Sequence, residues 1–154
     1  MFNVALRVVN DYAEAEDVLQ EAFLHAFSRI CDFRQETTFG LWLKQIVVNK
    51  SINHLRKRKL ELVPLHDLDL AAEEEESSEE DLQLKVEAVK AAVSKLSDGY
   101  RVVLTLYLFE GYDHQEIAEI LNISENTSRT QYMRAKQKLH RLLATKGEQD
   151  EQKA

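Results

Sequence analysis

A single cysteine, a single proline and four glycines in 154 residues set the first limits on this chain. One thiol, Cys31, excludes an internal disulfide and a cysteine-rich zinc site, and its neighbours Ile30 and Phe33 predict that it is buried. So few helix breakers predict an all-α protein. No run of about 18 apolar residues occurs, so no membrane span is expected. No basic and apolar leader opens the chain, which points to the cytoplasm. The five histidines, His25, His54, His66, His114 and His140, are scattered, with no metal-ligand spacing and no paired nucleophile or base. No metal, no cofactor and no enzymatic reaction is therefore expected.

The net charge of −7 argues against a polyanionic partner until its distribution is considered. Residues 60–95 hold eleven Asp and Glu against three Lys, more than the whole chain's excess. What flanks that segment is close to neutral overall and contains concentrated basic patches.

The most informative stretch runs from Asp113 to Leu143, DHQEIAEILNISENTSRTQYMRAKQKLHRLL. Ile117, Ala118, Ile120 and Leu121 make an apolar stripe at helical spacing, with Glu116 and Glu119 outward. Asn122 then sits where the helix must reverse, because Asn tolerates the left-handed backbone of such a stop. Ile123 turns back to the core and Ser124 is placed to cap the next helix. From Asn126 to Leu143 that helix carries Arg129, Arg134, Lys136, Lys138 and Arg141 and no acidic residue. A short helix, a tight turn and a basic helix have the geometry that lays a recognition helix in a DNA major groove. Asn126, Thr127, Ser128, Arg129, Thr130 and Gln131 are hydrogen-bonding types suited to base edges, and the later Arg134 and Lys138 suit phosphates. On these residues alone, a solvated amphipathic helix at a domain end remains an alternative, as does a free-standing helix-turn-helix regulator.

Upstream, residues 1–10 have a helical, apolar pattern. Asp11 to Arg29 reads as an amphipathic helix with Ala15, Val18, Leu19, Ala22, Phe23, Ala26, Phe27 and Ile30 on one side. Its other side shows Glu14, Asp17, Gln20, Glu21, Leu24 and His25. Residues 32–40, DFRQETTFG, form a loop with two phenylalanines, and Leu41 to Leu60 resumes as helix with Trp42, Leu43, Ile46, Val47 and Leu55 inward. That helix ends in a basic cluster, His54 to Lys59, which either complements the helix dipole or, beside an aromatic loop, suits single-stranded nucleic acid. Residues 61–81 contain the only proline and the run EEEESSEED, which repels itself and reads as a flexible acidic linker. Leu82 to Leu96 and Tyr100 to Glu110 are two further helices, with Leu84, Val86, Val89, Val93 and Leu96 facing Val102, Val103, Leu106 and Leu108 or Phe109. Ser97 and Asp98 are expected to cap between them, and Gly111 to end the second. The architecture expected is two small helical domains, 1–60 and 82–145, joined by the acidic linker, with a disordered tail at 146–154.

The stretches AEAEDVLQEAFLHAF, FRQETTFGLWLKQIVVNKSINHLRKRK and LSDGYRVVLTLYLFEGYDHQEIAEILNISENTSRTQYMRAKQKL, in this order, resemble a bacterial RNA polymerase sigma factor. The group is the extracytoplasmic-function members of the sigma-70 family. The resemblance implies two domains that bind core RNA polymerase and promoter DNA, melting the −10 element and reading the −35 element. It implies polymerase contacts from Asp17, Gln20, Glu21 and Leu24. It implies −10 contacts from the loop residues Phe33, Arg34, Thr37 and Phe39 and the helix residues Lys44, Asn49, Lys50, Asn53 and Arg56. For the −35 element it implies Asn126, Thr127, Ser128, Arg129, Thr130, Arg134 and Lys138. Family members are often held inactive by an anti-sigma partner on the same surfaces. The family usually has Gly and Val where this chain has Asn122 and Ser128.

Overall fold

A computed structural model of the protein describes residues 1–61 and 82–151. Among them every element is helical. The amino-terminal half comprises α1 (Phe2–Val9), α2 (Tyr12–Ser28), a 3₁₀ turn (Ile30–Asp32) and α3 (Phe39–Glu61). The carboxy-terminal half comprises α4 (Leu82–Ser94), α5 (Asp98–Leu104) with a π turn (Thr105–Phe109), α6 (His114–Leu121) and α7 (Glu125–Glu151). The acidic run expected to be a linker lies outside the described residues. Helix α7 continues past residue 145, where a tail was expected to begin.

Two residues suffice to join α1 to α2. Asn10 takes the left-handed backbone (φ 59°) and its N–H donates to the Leu6 carbonyl at 2.8 Å, while the Asp11 carboxylate accepts the Glu14 N–H at 2.9 Å. Such a C-cap and N-cap back to back reverse the chain into a helical hairpin. Helix α2 buries Ala15, Val18, Ala22 and Ala26. These small side chains form the seam on which α1 and α3 pack, through Ala5, Val8 and Val9 and through Val47, Val48, Ile52 and Leu55. Ser51 is also buried, its hydroxyl donating to the Val47 carbonyl at 2.8 Å, so no polar atom is stranded there.

Four expectations for this half are corrected. Phe27 and Ile30 are exposed rather than in the core, because the alanine seam claims the buried stripe and leaves Phe27 stacked on Phe23 at its outer edge. Cys31 is exposed in the 3₁₀ turn. Trp42 is only half-buried, held between Phe33 and Phe39.

The carboxy-terminal half has its own small cluster, Val93, Leu96, Leu104 and Ala135, with Val89, Tyr100, Tyr132, Leu139 and Leu142 around it. Within the π turn the Glu110 N–H donates to the Thr105 carbonyl at 3.1 Å, five residues back. The extra residue rotates the following side chains out of register with α5. Leu106 therefore points inward, while Tyr107, Leu108 and Phe109 are exposed, against the expectation that Leu108 or Phe109 would face α4. Val86 is likewise exposed. Gly111 (φ 75°) then reverses the chain as expected. The Ser97 hydroxyl makes no capping bond, and the Asp98 side chain is turned to two guanidinium groups instead.

The two helical domains pack against each other. Val102, Val103, Leu106 and Ile117 share one buried cluster with Ala5, Val8, Val9, Val47, Val48, Ile52 and Leu55. Around it runs a polar seam. Asp98 accepts two bonds from Arg58 (2.9 and 3.1 Å) and one from Arg101 (2.6 Å). Arg101 also donates across the seam to the Val8 carbonyl at 2.9 Å, and Arg58 also pairs with Glu14 at 2.8 Å. Arg101 is 3% exposed; its two terminal nitrogens donate to three oxygens, which offsets the cost of the buried charge, while its Nε–H is left without a partner.

Burial alone would raise the Asp98 carboxyl, but the hydrogen bonds and charges of Arg58 and Arg101 outweigh it and hold the group below the ordinary carboxylate range. The stability this supplies is present above the unfolded pKa of about 3.9 and is lost as pH falls through the lower folded value. Asp98→Asn should destabilise the protein by about 2 kcal/mol at neutral pH and flatten that acid limb. Urea unfolding measured from pH 7 to pH 3 checks both.

Candidate nucleic-acid interface

Helix α6 begins with a capping box. Asp113 accepts the Glu116 N–H at 2.8 Å and the Glu116 carboxylate accepts the Asp113 N–H at 2.9 Å, so two orphan donors are satisfied reciprocally. It ends at Asn122, which is left-handed as its residue type suggested (φ 55°, ψ 50°). The Ser124 hydroxyl then accepts the Thr127 N–H at 3.1 Å and starts α7. Helix, turn and helix are thus fixed at each junction by an identifiable cap.

The seat of α7 is partly polar. Ser128 is fully buried and lies 2.9 Å from His114 Nδ1. The His114 ring stacks on Tyr107 (centroids 4.6 Å apart) and meets the edge of Tyr132, which itself contacts Tyr107 at 4.5 Å. Burial and then the neighbouring Tyr107 push the Tyr132 phenol above its ordinary value, so it stays neutral. Ser128, expected among the base-reading residues, is instead a strut between α7 and α6. Its position on the inner side of the helix decides this.

The outer side of α7 presents Asn126, Thr127, Arg129, Thr130 and Arg134, all exposed. Thr130 donates to the Asn126 carbonyl at 2.9 Å, and Arg129 is paired with Glu125 one turn back. A solvated pair of this kind is weak enough for a phosphate or base to displace. Lys138 is half-buried at the edge of this face, over the Tyr100 ring at 5.7 Å. Met133, in the middle of the face, is 61% exposed and was not expected there. Only its angular position between Asn126 and Arg129 on the helix could have shown it, because methionine by type reads as core.

In the amino-terminal half, Phe33, Phe39 and Trp42 form one cluster with ring centroids 5.3–5.8 Å apart. Thr38 caps the start of α3 by accepting the Leu41 N–H at 3.3 Å, and Gln35 takes a left-handed turn (φ 58°) that brings the loop back onto Trp42. Arg34 and Thr37 are exposed beside the rings.

Along α3, Lys44, Asn49 and Arg56 share the face turned toward the second half. The Lys44 ammonium donates to the Glu110 carbonyl and pairs with its carboxylate, both at 2.9 Å. Asn49 lines a cleft of about 350 Å³ with Gln45, Tyr112, Glu116 and Glu119. Arg56 donates to the Leu121 carbonyl at 3.0 Å. Asn53, exposed, accepts a bond from Arg56 at 3.5 Å on the same face, and Lys50 is half-buried. On α2, Asp17, Gln20, Glu21 and Leu24 form one exposed face. Leu24 is 71% exposed and Phe27, one turn on, 68%. Phe27 is expected inward from its spacing with Phe23 and the apolar stripe; its i+3 spacing from Leu24 equally fits the outer face, where it lies.

Residues 1–61 match the family model of sigma-70 region 2, and residues 86–139 match that of sigma-70 region 4. The chain belongs to the sigma-70 family. The RNA polymerase sigma-H factor of Pseudomonas aeruginosa is 32% identical, over 93% of this chain and 80% of that protein. The ECF RNA polymerase sigma factor SigM of Bacillus subtilis is also 32% identical, over 98% and 92%. Among solved structures, the sigma factor RpoE of Bartonella quintana, in complex with the anti-sigma factor NepR, has the same fold. Its TM-score is 0.63 at 24% identity, covering 93% of this chain and 89% of that one. This sigma factor of the extracytoplasmic-function group binds core RNA polymerase and promoter DNA and directs promoter-specific initiation. Its family consists of DNA-binding regulators rather than enzymes. Among the described residues no helix is long and apolar enough to cross a membrane.

The caps predict how firmly the recognition unit is held. Asp113→Ala should cost about 1 kcal/mol by removing the box. Asn122→Ala should cost about 1 kcal/mol, because Ala lacks the short polar side chain whose local hydrogen bonding lets Asn tolerate the left-handed backbone. Chemical denaturation, with circular dichroism as the readout, tests each.

Proposed function

We propose that the outer edge of α7 reads the −35 element as duplex, that the aromatic loop and α3 engage the melted −10 element, and that the outer face of α2 docks on core polymerase. The observation that carries this reading is the row Asn126, Thr127, Arg129, Thr130 and Arg134, exposed along a helix whose start is capped by Ser124. Asn, Thr and Arg there offer donors and acceptors to base edges, and Arg134 and Lys138 are cations for phosphates. Ser128 is left out of the contact set.

For the −10 element, Phe33, Phe39 and Trp42 offer ring faces to an unstacked base, with Arg34 and Thr37 alongside for its edge and phosphate. Lys44, Asn49, Lys50, Asn53 and Arg56 would track the strand along α3. For polymerase, Asp17, Gln20 and Glu21 ring the apolar pair Leu24 and Phe27, the arrangement of a polar rim around an apolar anchor. This chain makes and breaks no bond; its work is binding free energy, and mounting both DNA-binding halves on one enzyme makes the second contact intramolecular. The reading places the protein in the cytoplasm, with polymerase. An anti-sigma protein is a further partner in this reading, since the similar RpoE structure is a complex with one.

Purified protein and core RNA polymerase on genomic fragments, with transcript ends sequenced, should give starts that share −35 and −10 elements. No promoter-dependent transcript would end the proposal. Arg129→Ala and Thr127→Ala should each shift preference at one or two −35 base pairs by about 1–3 kcal/mol; a uniform loss over all sequences would mark them as phosphate contacts. Gln20→Ala with Glu21→Lys should weaken capture of core enzyme with circular dichroism unchanged.

A further inference from the structure

One imidazole ties α6 to the recognition helix and to the π turn. His114, the first residue of α6, places Nδ1 2.9 Å from the Ser128 hydroxyl and meets Tyr132, one turn further along α7, nearly edge to face at 5.6 Å. Tyr107, which the π turn leaves facing outward, stacks on the same ring and contacts Tyr132 as well. Ser128 is fully buried, and among the described residues its hydroxyl has no hydrogen-bond partner except His114. A buried hydroxyl with one neighbour can satisfy its hydrogen only by donating it. Were the ring proton on Nδ1, the Ser128 hydrogen would have no acceptor. Nδ1 is therefore the acceptor, and the ring proton sits on Nε2. The Val usual at this position in the family packs without direction; in this chain the joint is a directed bond, and Thr127 and Arg129 flank the residue that makes it.

We propose that His114 is a positioning residue for −35 discrimination: as the Nε2–H tautomer it orients the first turn of α7 through Ser128, and so sets which base edges Thr127 and Arg129 reach. The inference rests on the assignment of α7 to the −35 element. Reading a base edge requires the side chain to be held to within about 0.5 Å. Attraction to phosphates carries no sequence information and does not depend on such placement. Loss of the strut therefore lowers specificity more than affinity, whereas a residue that only stabilised the fold would lower the amount of active protein and leave the specificity of the folded fraction intact.

The test uses holoenzyme reconstituted from the full chain and core RNA polymerase, on a promoter taken from the sequenced starts and on the same fragment with single −35 substitutions. The ratio of transcripts from the two in competition reads discrimination. Ser128→Ala and His114→Phe should each lower that ratio about five- to tenfold with circular dichroism unchanged. The two changes combined should lower it no further, because they remove the same bond. His114→Asn, whose amide oxygen can stand where Nδ1 stood, should keep the ratio within about twofold of the unaltered protein. Nitrogen NMR of the histidine-labelled chain, assigned with His114→Asn, should show His114 as the Nε2–H tautomer, and Ser128→Ala should release it to a mixture of both. An Nδ1–H tautomer in the unaltered chain overturns the proposal, as does a ratio unmoved by Ser128→Ala or a His114→Asn protein as impaired as His114→Phe. Where His114→Phe fails to fold, Ser128→Ala and the tautomer decide. If Arg129→Ala and Thr127→Ala leave −35 preference unchanged, the assignment of α7 falls; if they shift it while Ser128→Ala does not, only the role of His114 falls.

Discussion

One carboxylate, Asp98, sits between two guanidinium groups that belong to different halves of the molecule, Arg58 on α3 and Arg101 on α5. Around that point the structure becomes one body. Arg101 reaches back to a main-chain carbonyl of α1, Arg58 reaches Glu14 on α2, and the buried aliphatic side chains beneath pass without interruption from Ala5 and Val8 to Val102 and Leu106. Neither arginine could stay so enclosed alone, because an unpaired buried charge is far more expensive than a paired one. The pairing makes the seam conditional: it holds while all the partners are in place.

Much of this molecule was legible in the sequence. The positions of the helices followed from spacing of apolar residues, and the recognition unit followed from chemistry specific enough to name the residues that turn it, Asn122 and Ser124. What escaped is physically coherent. Periodicity reports which residues share a helix face, but not which of two apolar faces is covered. Phe27 and Ile30 therefore looked buried until Ala15, Ala22 and Ala26 were seen to make the closer seam. The π turn at Thr105–Phe109 breaks the 3.6-residue count inside a run that otherwise reads as uninterrupted helix, which misplaced Leu108 and Phe109. The contact between halves was invisible for a different reason. Its partners, Arg58 with Asp98 and Lys44 with Glu110, lie 40 and 66 residues apart, and an acidic stretch of composition unsuited to a core suggested independence on either side.

Candidate contact residues fared according to how much their role depends on side-chain direction. Asn126, Thr127, Arg129, Thr130 and Arg134 lie on one accessible edge, where a helical wheel would put them. Ser128 does not, although it is their neighbour, and its hydroxyl is spent on His114. On α3 the same residue types divide between two faces, so that a list of polar positions along the helix mixes those turned to the second half with those turned to water.

The Ser128–His114 strut carries a consequence for how such a protein can diversify. Directional hydrogen bonding and ring stacking fix the tilt of α7 from beneath, while the edge above contributes almost nothing to the packed interior. Selection can therefore rewrite the outward letters of this helix, acquiring new target sequences, without renegotiating the joint on which it is mounted.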